Sequence, residues 1–272
     1  MGWRAAALRV LETAAAEEKC AAALAANPGG ADRGPRTLPP ARPARPADPP
    51  LILPRDAPRR RLGSVEGRIA LLHALAHIEL NAVDLAFDMA LRFADEAAAA
   101  GLGARAFVAD WFAVGREEAG HFLMLNKRLG ALGSRYGALP AHDGLWEAAE
   151  ATADSLFARL AIAPMVLEAR GLDVTPGMAA RLAEAGDPDS AGLLDTIYAD
   201  EIAHVATGVR WFEALCGRCG LDPKETFAAL VAARFRGRPK PPFNTKGRQS
   251  AGMALAYYAR WNEICAEPAP IR

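Results

Sequence analysis

Two short motifs of the form Glu-x-x-His constrain this chain more than any other feature. They are Glu118-Ala-Gly-His121 and Glu201-Ile-Ala-His204. On an α-helix, residues three apart lie on the same face, so each motif presents a carboxylate and an imidazole side by side. Such a pair can bind a metal ion. The motifs therefore predict two helices whose inner faces carry metal ligands.

The rest of the chain predicts an all-α protein. Alanine dominates the composition, and four long segments show the apolar periodicity of helices. In the third segment Pro164 predicts a kink and Gly171 predicts an end, after which Thr175-Pro176 predicts the start of a separate short helix. The four segments are residues 65–99, 104–129, 145–170 and 187–215.

The four predicted long helices carry, in chain order, one glutamate, one Glu-x-x-His motif, a second glutamate and a second motif. This is one helical hairpin used twice. Because a buried lone carboxylate is costly unless it is paired or binds metal, the pattern predicts a dinuclear metal site. The sequence leaves open which carboxylates bridge the ions, and the alternative is a polar core of Glu–His and Glu–Arg pairs. The predicted ligands are Glu79, Glu118, His121, Glu168, Glu201 and His204.

Carboxylate and imidazole ligands without a thiolate favour iron or manganese. The ligand order resembles that of the ferritin-like di-iron carboxylate proteins. This resemblance implies a four-helix bundle with one long crossover, two iron or manganese ions, and O₂ as a co-substrate. It also implies that the acidic residue before each motif, Glu117 or Asp200, orients the histidine of the opposite hairpin. The turn-rich stretch 133–144 could extend about 40 Å, enough for the crossover.

Five stretches around the predicted ligands narrow the resemblance: His77-Ile-Glu79-Leu80, residues 110–122, residues 140–147, Glu168-Ala-Arg-Gly-Leu-Asp173 and Asp200-Glu201-Ile-Ala-His204-Val205. They look like a bacterial family of ferritin-like proteins known mainly as a domain of unknown function. The similarity covers most of residues 5–265. It implies a di-metal bundle and leaves the reaction unassigned. More distantly, the bundle resembles the non-haem di-iron tRNA hydroxylase.

The sequence predicts four consecutive parts. An N-terminal helix (1–27) precedes a proline-rich segment (28–60), which leads into the four-helix bundle (61–218). C-terminal helices (219–272), the last over about 250–266, then pack on the bundle. Because proline fixes φ and lacks an N–H, the second part is expected to be an extended linker or a strap over the domain. A proline motif that binds a partner is the alternative.

Four further residues each allow two interpretations of their role. His77 lies two residues from Glu79 and hence on another face, which favours a role in the core or beside the ligands over ligation. Tyr198 lies one turn before Glu201 and is read as a core aromatic, or as the lining of a substrate channel. Cys216 and Cys219 form a single C-x-x-C, for which two incidental thiols are favoured over a redox dithiol.

Charge and composition limit the partners. The formal net charge is zero, which makes a nucleic-acid partner unfavoured though not excluded. The basic stretch 234–240 is a candidate anion patch, with solvated surface as the alternative. No stretch of about 18 apolar residues lacks charges, so no membrane span is expected. Without a cysteine framework or a signal-like start, the cytoplasm is the expected location.

The expected function is therefore a non-haem di-iron or di-manganese oxidoreductase. It would use O₂ on a small organic substrate and take electrons from a separate donor. Three alternatives are a ferroxidase or other iron-handling protein, a tRNA-modifying hydroxylase, and a structural bundle with an incidental metal. A homodimer is left open.

Overall fold

A computed structural model of the chain describes residues 2–29, 38–53, 56 and 61–261. Among these residues the regular structure is helical, apart from one isolated parallel bridge between Leu51 and Ala141. The prediction of an all-α protein is confirmed. The elements are α1 (Trp3–Glu12), α2 (Ala16–Ala25), α3 (Val65–Ala99), α4 (Ala104–Ala131), α5 (Gly144–Glu150), α6 (Leu156–Ile162), a π-helical segment (Ala163–Glu168), α7 (Ala169–Glu184), α8 (Pro188–Cys219), α9 (Pro223–Arg234), α10 (Thr245–Ser250) and a 3₁₀ turn (Leu255–Tyr257).

The long helices α3, α4 and α8 follow their predicted ranges closely, whereas two other segments differ from prediction. The single N-terminal helix expected within residues 1–27 is two helices, α1 and α2, because the backbone is extended at Thr13 and Ala15. The helix expected over 145–170 is divided into α5, α6 and the π-helical segment. Ser155 caps α6 by accepting a hydrogen bond from the Ala158 N–H.

The prediction that a helix ends at Gly171 was wrong, since α7 continues through Gly171 and Pro176. A proline inside a helix cannot donate to the carbonyl four residues earlier, here that of Leu172. In this protein the Leu172 carbonyl accepts a hydrogen bond from Asn244 Nδ2 at 3.0 Å instead. A residue distant in sequence therefore removes much of the cost of the proline.

The predicted last helix, 250–266, also differs. Residues 245–261 form α10, the 3₁₀ turn and one short helical stretch, so no long helix begins at Ser250. The remainder of that prediction lies outside the described residues, as does Cys265.

The chain divides into two compact units, of which the first comprises residues 1–150 and 179–193. Its centre is the hairpin of α3 and α4, on which α1 and α2 pack. The two long helices approach closely at Gly115, where an added Cβ would lie 2.7 Å from Phe87 Cε2. Glycine at this position therefore brings the α4 backbone near α3.

The described part of the proline-rich segment lies across the first unit. Its Ala44 N–H donates to the Leu11 carbonyl at 2.7 Å. Farther along, the Ile52 N–H donates to the Ala141 carbonyl at 2.8 Å, and the Ala141 N–H donates to the Pro50 carbonyl at 3.1 Å. These backbone hydrogen bonds tie the segment to α1 and to the connection that follows α4.

The second unit comprises residues 151–178 and 194–272, described as far as residue 261. Here α6 packs on α9, and the Asp222 side chain caps the N-terminus of α9 by accepting hydrogen bonds from the Lys224 and Glu225 N–H groups. The π-helical segment meets α8 at Gly208, where an added Cβ would lie 2.3 Å from Pro164 Cβ.

One helix of the described chain, α3, is long and apolar enough to cross a membrane by length and composition. However, 78% of its most apolar window is buried inside the protein. This burial is typical of a core helix.

Candidate metal centre

Three of the six predicted metal ligands meet in the core of the first unit. Glu79 comes from α3, and Glu118 and His121 come from α4; their exposed fractions are 5%, 0% and 1%. The His121 Nδ1 atom lies 3.3 Å from Glu79 Oε2 and 3.3 Å from Glu118 Oε2. One ligand atom from each residue lies within 4.8 Å of the others, so this buried cluster could hold a metal ion.

The helical spacing explains this convergence. Glu118 and His121 are one turn apart on α4, so their side chains lie over the same patch of α3. On α3, Glu79 is flanked along the inner face by Ala76 and Ala82, whose small side chains leave room for groups from the neighbouring helix. The sequence therefore brings three polar side chains to one point inside an apolar hairpin.

The electrostatics of the cluster favour a cation. Burial by itself would lower the pKa of His121, but hydrogen bonds and charge from Glu118 and Glu79 outweigh it and raise the pKa to about 11. A proton on this imidazole thus offsets one of the two carboxylate charges when no metal is bound. Because metal ligands bind in their deprotonated form, a metal ion would replace that proton.

The donor set fits a metal. Carboxylate oxygen and imidazole nitrogen suit divalent first-row metals. Neighbouring donors 3.3 Å apart are close enough for one ion, with bonds of about 2 Å, to contact both. The identity of the ion does not follow from these contacts.

The other three predicted ligands belong to the second unit. Glu201 and His204 are buried one turn apart on α8, with 3.6 Å between Glu201 Oε1 and His204 Nδ1. Glu168 is half-buried at the end of the π-helical segment. Gly171, three residues farther along, faces α8, since a Cβ added there would lie 3.9 Å from Glu201 Oε2. π-Helical turns occur frequently at functional sites.

The residues predicted to orient the ligands differ in burial. Glu117 is exposed and Asp200 is half-buried, and their orienting roles stay predictions.

Tyr198 is half-buried, and its hydroxyl accepts a hydrogen bond from Asn244 Nδ2 at 3.0 Å. This tyrosine therefore anchors the segment before α10.

His77 contacts the connection after α4. Its Nδ1 accepts from the Tyr136 hydroxyl at 2.8 Å, and its Nε2–H donates to the His142 carbonyl at 3.2 Å. His73, one turn earlier, accepts at Nε2 from the Gly137 N–H at 3.0 Å. Both ring nitrogens of His77 are thus used in fixing the connection, which agrees with the preference against ligation.

The two cysteines of the C-x-x-C are free, Cys216 buried and Cys219 exposed. Burial raises the pKa of the Cys216 thiol to about 11, although a hydrogen bond with Thr226 opposes the shift. Because the thiolate is the reactive form, a raised pKa opposes redox exchange at this residue.

Sequence reasoning missed a buried ion network beside this centre. Lys19 Nζ on α2 donates to Asp84 Oδ1 on α3, and Arg45 Nε lies 3.1 Å from Asp84 Oδ2. Burial lowers the pKa of Lys19 and raises that of Asp84, while their mutual attraction opposes both shifts. The sequence contains no local signal for these partners, because Lys19 and Asp84 are 65 positions apart.

Taken together, the fold and the first cluster define an all-helical protein with a buried carboxylate–histidine site that could hold a metal ion. Over residues 5–259 the chain matches the family described as "Protein of unknown function (DUF455)", and it belongs to that family. An uncharacterized protein of Haemophilus influenzae is 44% identical over 211 residues, which cover 76% of this chain and 72% of that protein. No solved structure matches the chain. The predicted resemblance to a family of unknown function is confirmed.

Proposed function

We propose that this protein is a ferritin-like di-metal oxidoreductase that uses O₂ on a small organic substrate. The observation that carries the proposal is the buried cluster of Glu79, Glu118 and His121 in the first unit, with one imidazole nitrogen 3.3 Å from both carboxylates. Such a cluster is costly to bury in a purely structural role. A bound cation would compensate the two carboxylates.

The dinuclear part of the proposal rests on the repeat in the sequence. Glu168, Glu201 and His204 have the same residue types, in the same order, as the three ligands of the first cluster. In ferritin-like bundles two such sets share one pair of ions. We propose the same arrangement here, with a four-helix bundle and one long crossover as its frame, and iron or manganese as the metal.

A bound pair of these ions supplies O₂ activation and electron transfer. The candidate ligands would hold the ions, and the burial of Glu79, Glu118 and His121 would keep water from the reacting groups. His121 gives up its Nδ1 proton when metal binds. Insertion of one oxygen atom of O₂ into a C–H bond, with reduction of the other to water, consumes two electrons and two protons. The proposed activity therefore needs an external one- or two-electron donor.

The proposal is tested by the reaction of Fe(II)-loaded protein with O₂. Protein loaded without oxygen and then mixed with O₂ should consume it at least tenfold faster than the same Fe(II) in buffer. The variant Glu118→Ala/Glu201→Ala should react no faster than buffer, whereas Glu66→Gln, an exposed carboxylate at the start of α3, should behave as wild type. Wild-type protein that reacts at the buffer rate would contradict the proposal.

A further inference from the structure

The second unit contains a small apolar cavity that is lined by none of the candidate metal ligands. Its volume is about 140 Å³. One wall is the π-helical segment, through Met165, Val166 and Leu167, which immediately precede Glu168. An aromatic wall comes from the C-terminal part of the chain, through Phe227, Phe243, Tyr258 and Trp261.

The frame of this cavity is fixed by buried polar contacts. Asp173 accepts from Arg248 Nε at 2.8 Å and from Nη2 at 2.7 Å, in a bidentate ion pair whose two side chains are almost fully buried. The same guanidinium lies 4.9 Å from the ring of Phe243 and 4.8 Å from that of Tyr258. Asn244 adds hydrogen bonds to the Leu172 carbonyl and to Asp173. The cavity is therefore built before any ligand binds.

Two exposed cations, Arg238 and Lys240, line the cavity beside its apolar walls. No carboxylate in the described part of the chain pairs with either side chain. By contrast, Arg234 in the same basic stretch pairs with Asp154 at 2.9 Å. Within this stretch Arg234 is thus neutralised away from the cavity, whereas Arg238 and Lys240 are available at the edge of the cavity.

We propose that the cavity binds a small aromatic anion, with its ring between the aromatic wall and the π-helical segment and its anionic group at Arg238 and Lys240. An apolar cavity of about 150 Å³ can hold benzene, so this one fits a six-membered ring. The anionic group is a carboxylate or a phosphate. If the proposed function is correct, on which this step rests, the ligand is the organic substrate, because the cavity wall continues directly into Glu168.

Binding can be measured by isothermal titration of the full-length, metal-free protein. The probes are phenylacetate, phenyl phosphate and the neutral phenylacetamide. We expect one of the two anions to bind at least fivefold more tightly than the amide. Removing both cations in Arg238→Gln/Lys240→Gln should weaken that anion about five- to tenfold, since exposed ion pairs contribute up to about 1 kcal/mol each. The matched control Arg234→Gln should bind as wild type does.

Each outcome bears on the inference. The tighter of phenylacetate and phenyl phosphate identifies the anionic group. The inference would be overturned by any of three results. These are equal affinity for the amide and both anions, unchanged affinity in the double variant, or no binding of any probe at 10 mM, which corresponds to about 2.7 kcal/mol of affinity. Because the titration uses metal-free protein, it is independent of the di-metal proposal. If the anion binds but leaves the O₂ reaction of Fe(II)-loaded protein unchanged, the cavity is a ligand site and its role as the substrate site is excluded.

Discussion

Buried polar side chains on α3 decide how the first unit responds to mutation and to pH. Glu79 faces His121, Asp84 faces Lys19, and His73 holds the connection after α4. Water cannot replace a lost partner at these positions, so each loss costs more than it would at the surface.

Loss of Lys19 should destabilise the protein strongly. In Lys19→Met the fully buried Asp84 keeps Arg45 as its cation, and we expect the free energy of unfolding to fall by about 3 kcal/mol. The double variant Lys19→Met/Asp84→Asn should recover at least half of this loss, because it also removes the buried negative charge that Arg45 alone would have to compensate. Urea unfolding of the four members of the cycle measures the coupling, and strictly additive effects would show that the pair does not interact.

The stability of the metal-free protein should depend on pH through His73. Burial lowers the pKa of His73 from about 6.5 to about 4. Between these values the unfolded chain binds the proton more readily, so this contribution to stability is complete above pH 6.5 and is lost as pH falls toward 4. Between pH 7 and 4.5, wild type should lose about 2–3 kcal/mol more than His73→Gln, which keeps an acceptor for the Gly137 N–H. This account would be refuted if the free energies of unfolding of wild type and His73→Gln, measured with urea, changed with pH in parallel.

For single residues, the sequence predicts which side chains share a helix face better than it predicts contacts between distant parts of the chain. Glu118 and His121 are three positions apart on one helix, so local periodicity determines that they share a face. Lys19 and Asp84 are 65 positions apart, and their contact depends on how α2 packs in the tertiary structure. No local pattern carries that information.

At the scale of elements, the close approach of α8 to the π-helical segment makes a sharp test. Alanine in place of glycine inside a helix usually stabilises by up to about 1 kcal/mol. At Gly208 the new Cβ would lie 2.3 Å from Pro164 Cβ and 2.4 Å from its Cγ, so Gly208→Ala should instead destabilise by about 1–3 kcal/mol. The control is Gly217→Ala on the same helix, where a Cβ meets nothing within 4 Å. Thermal unfolding compares the two, and equal stabilisation would contradict the observed packing.

Long, unbroken helices were predictable, and the irregular elements were not. The ranges of α3 and α4 follow from apolar periodicity. Pro164 predicts a distortion, but the local sequence does not show that the distortion is π-helical or that Pro164 packs against Gly208. Pro176 predicts a helix start. It lies inside α7 instead, and Asn244 donates a hydrogen bond to the Leu172 carbonyl that the proline leaves without its usual donor. Each miss has a cause outside the local sequence.

At the scale of the whole molecule, the central claim is that two halves of the chain each contribute one glutamate and one Glu-x-x-His motif to a di-metal centre. The first set is buried and converges in the first unit. The second set has the same residue types in the same order. The order of the candidate ligands can be read from the sequence because it repeats along the chain, whereas the reaction and the substrate depend on cavities that no periodicity predicts.

Metal content per chain tests this claim most directly. Wild-type protein, purified without chelator or loaded anaerobically with Fe(II), should contain about two iron or manganese ions per chain. Glu118→Ala/Glu201→Ala should contain none while keeping its helical circular dichroism, and Glu66→Gln should keep both ions. A wild-type protein that binds no metal after anaerobic loading would contradict the account, and the buried glutamates and histidines would then be a polar core.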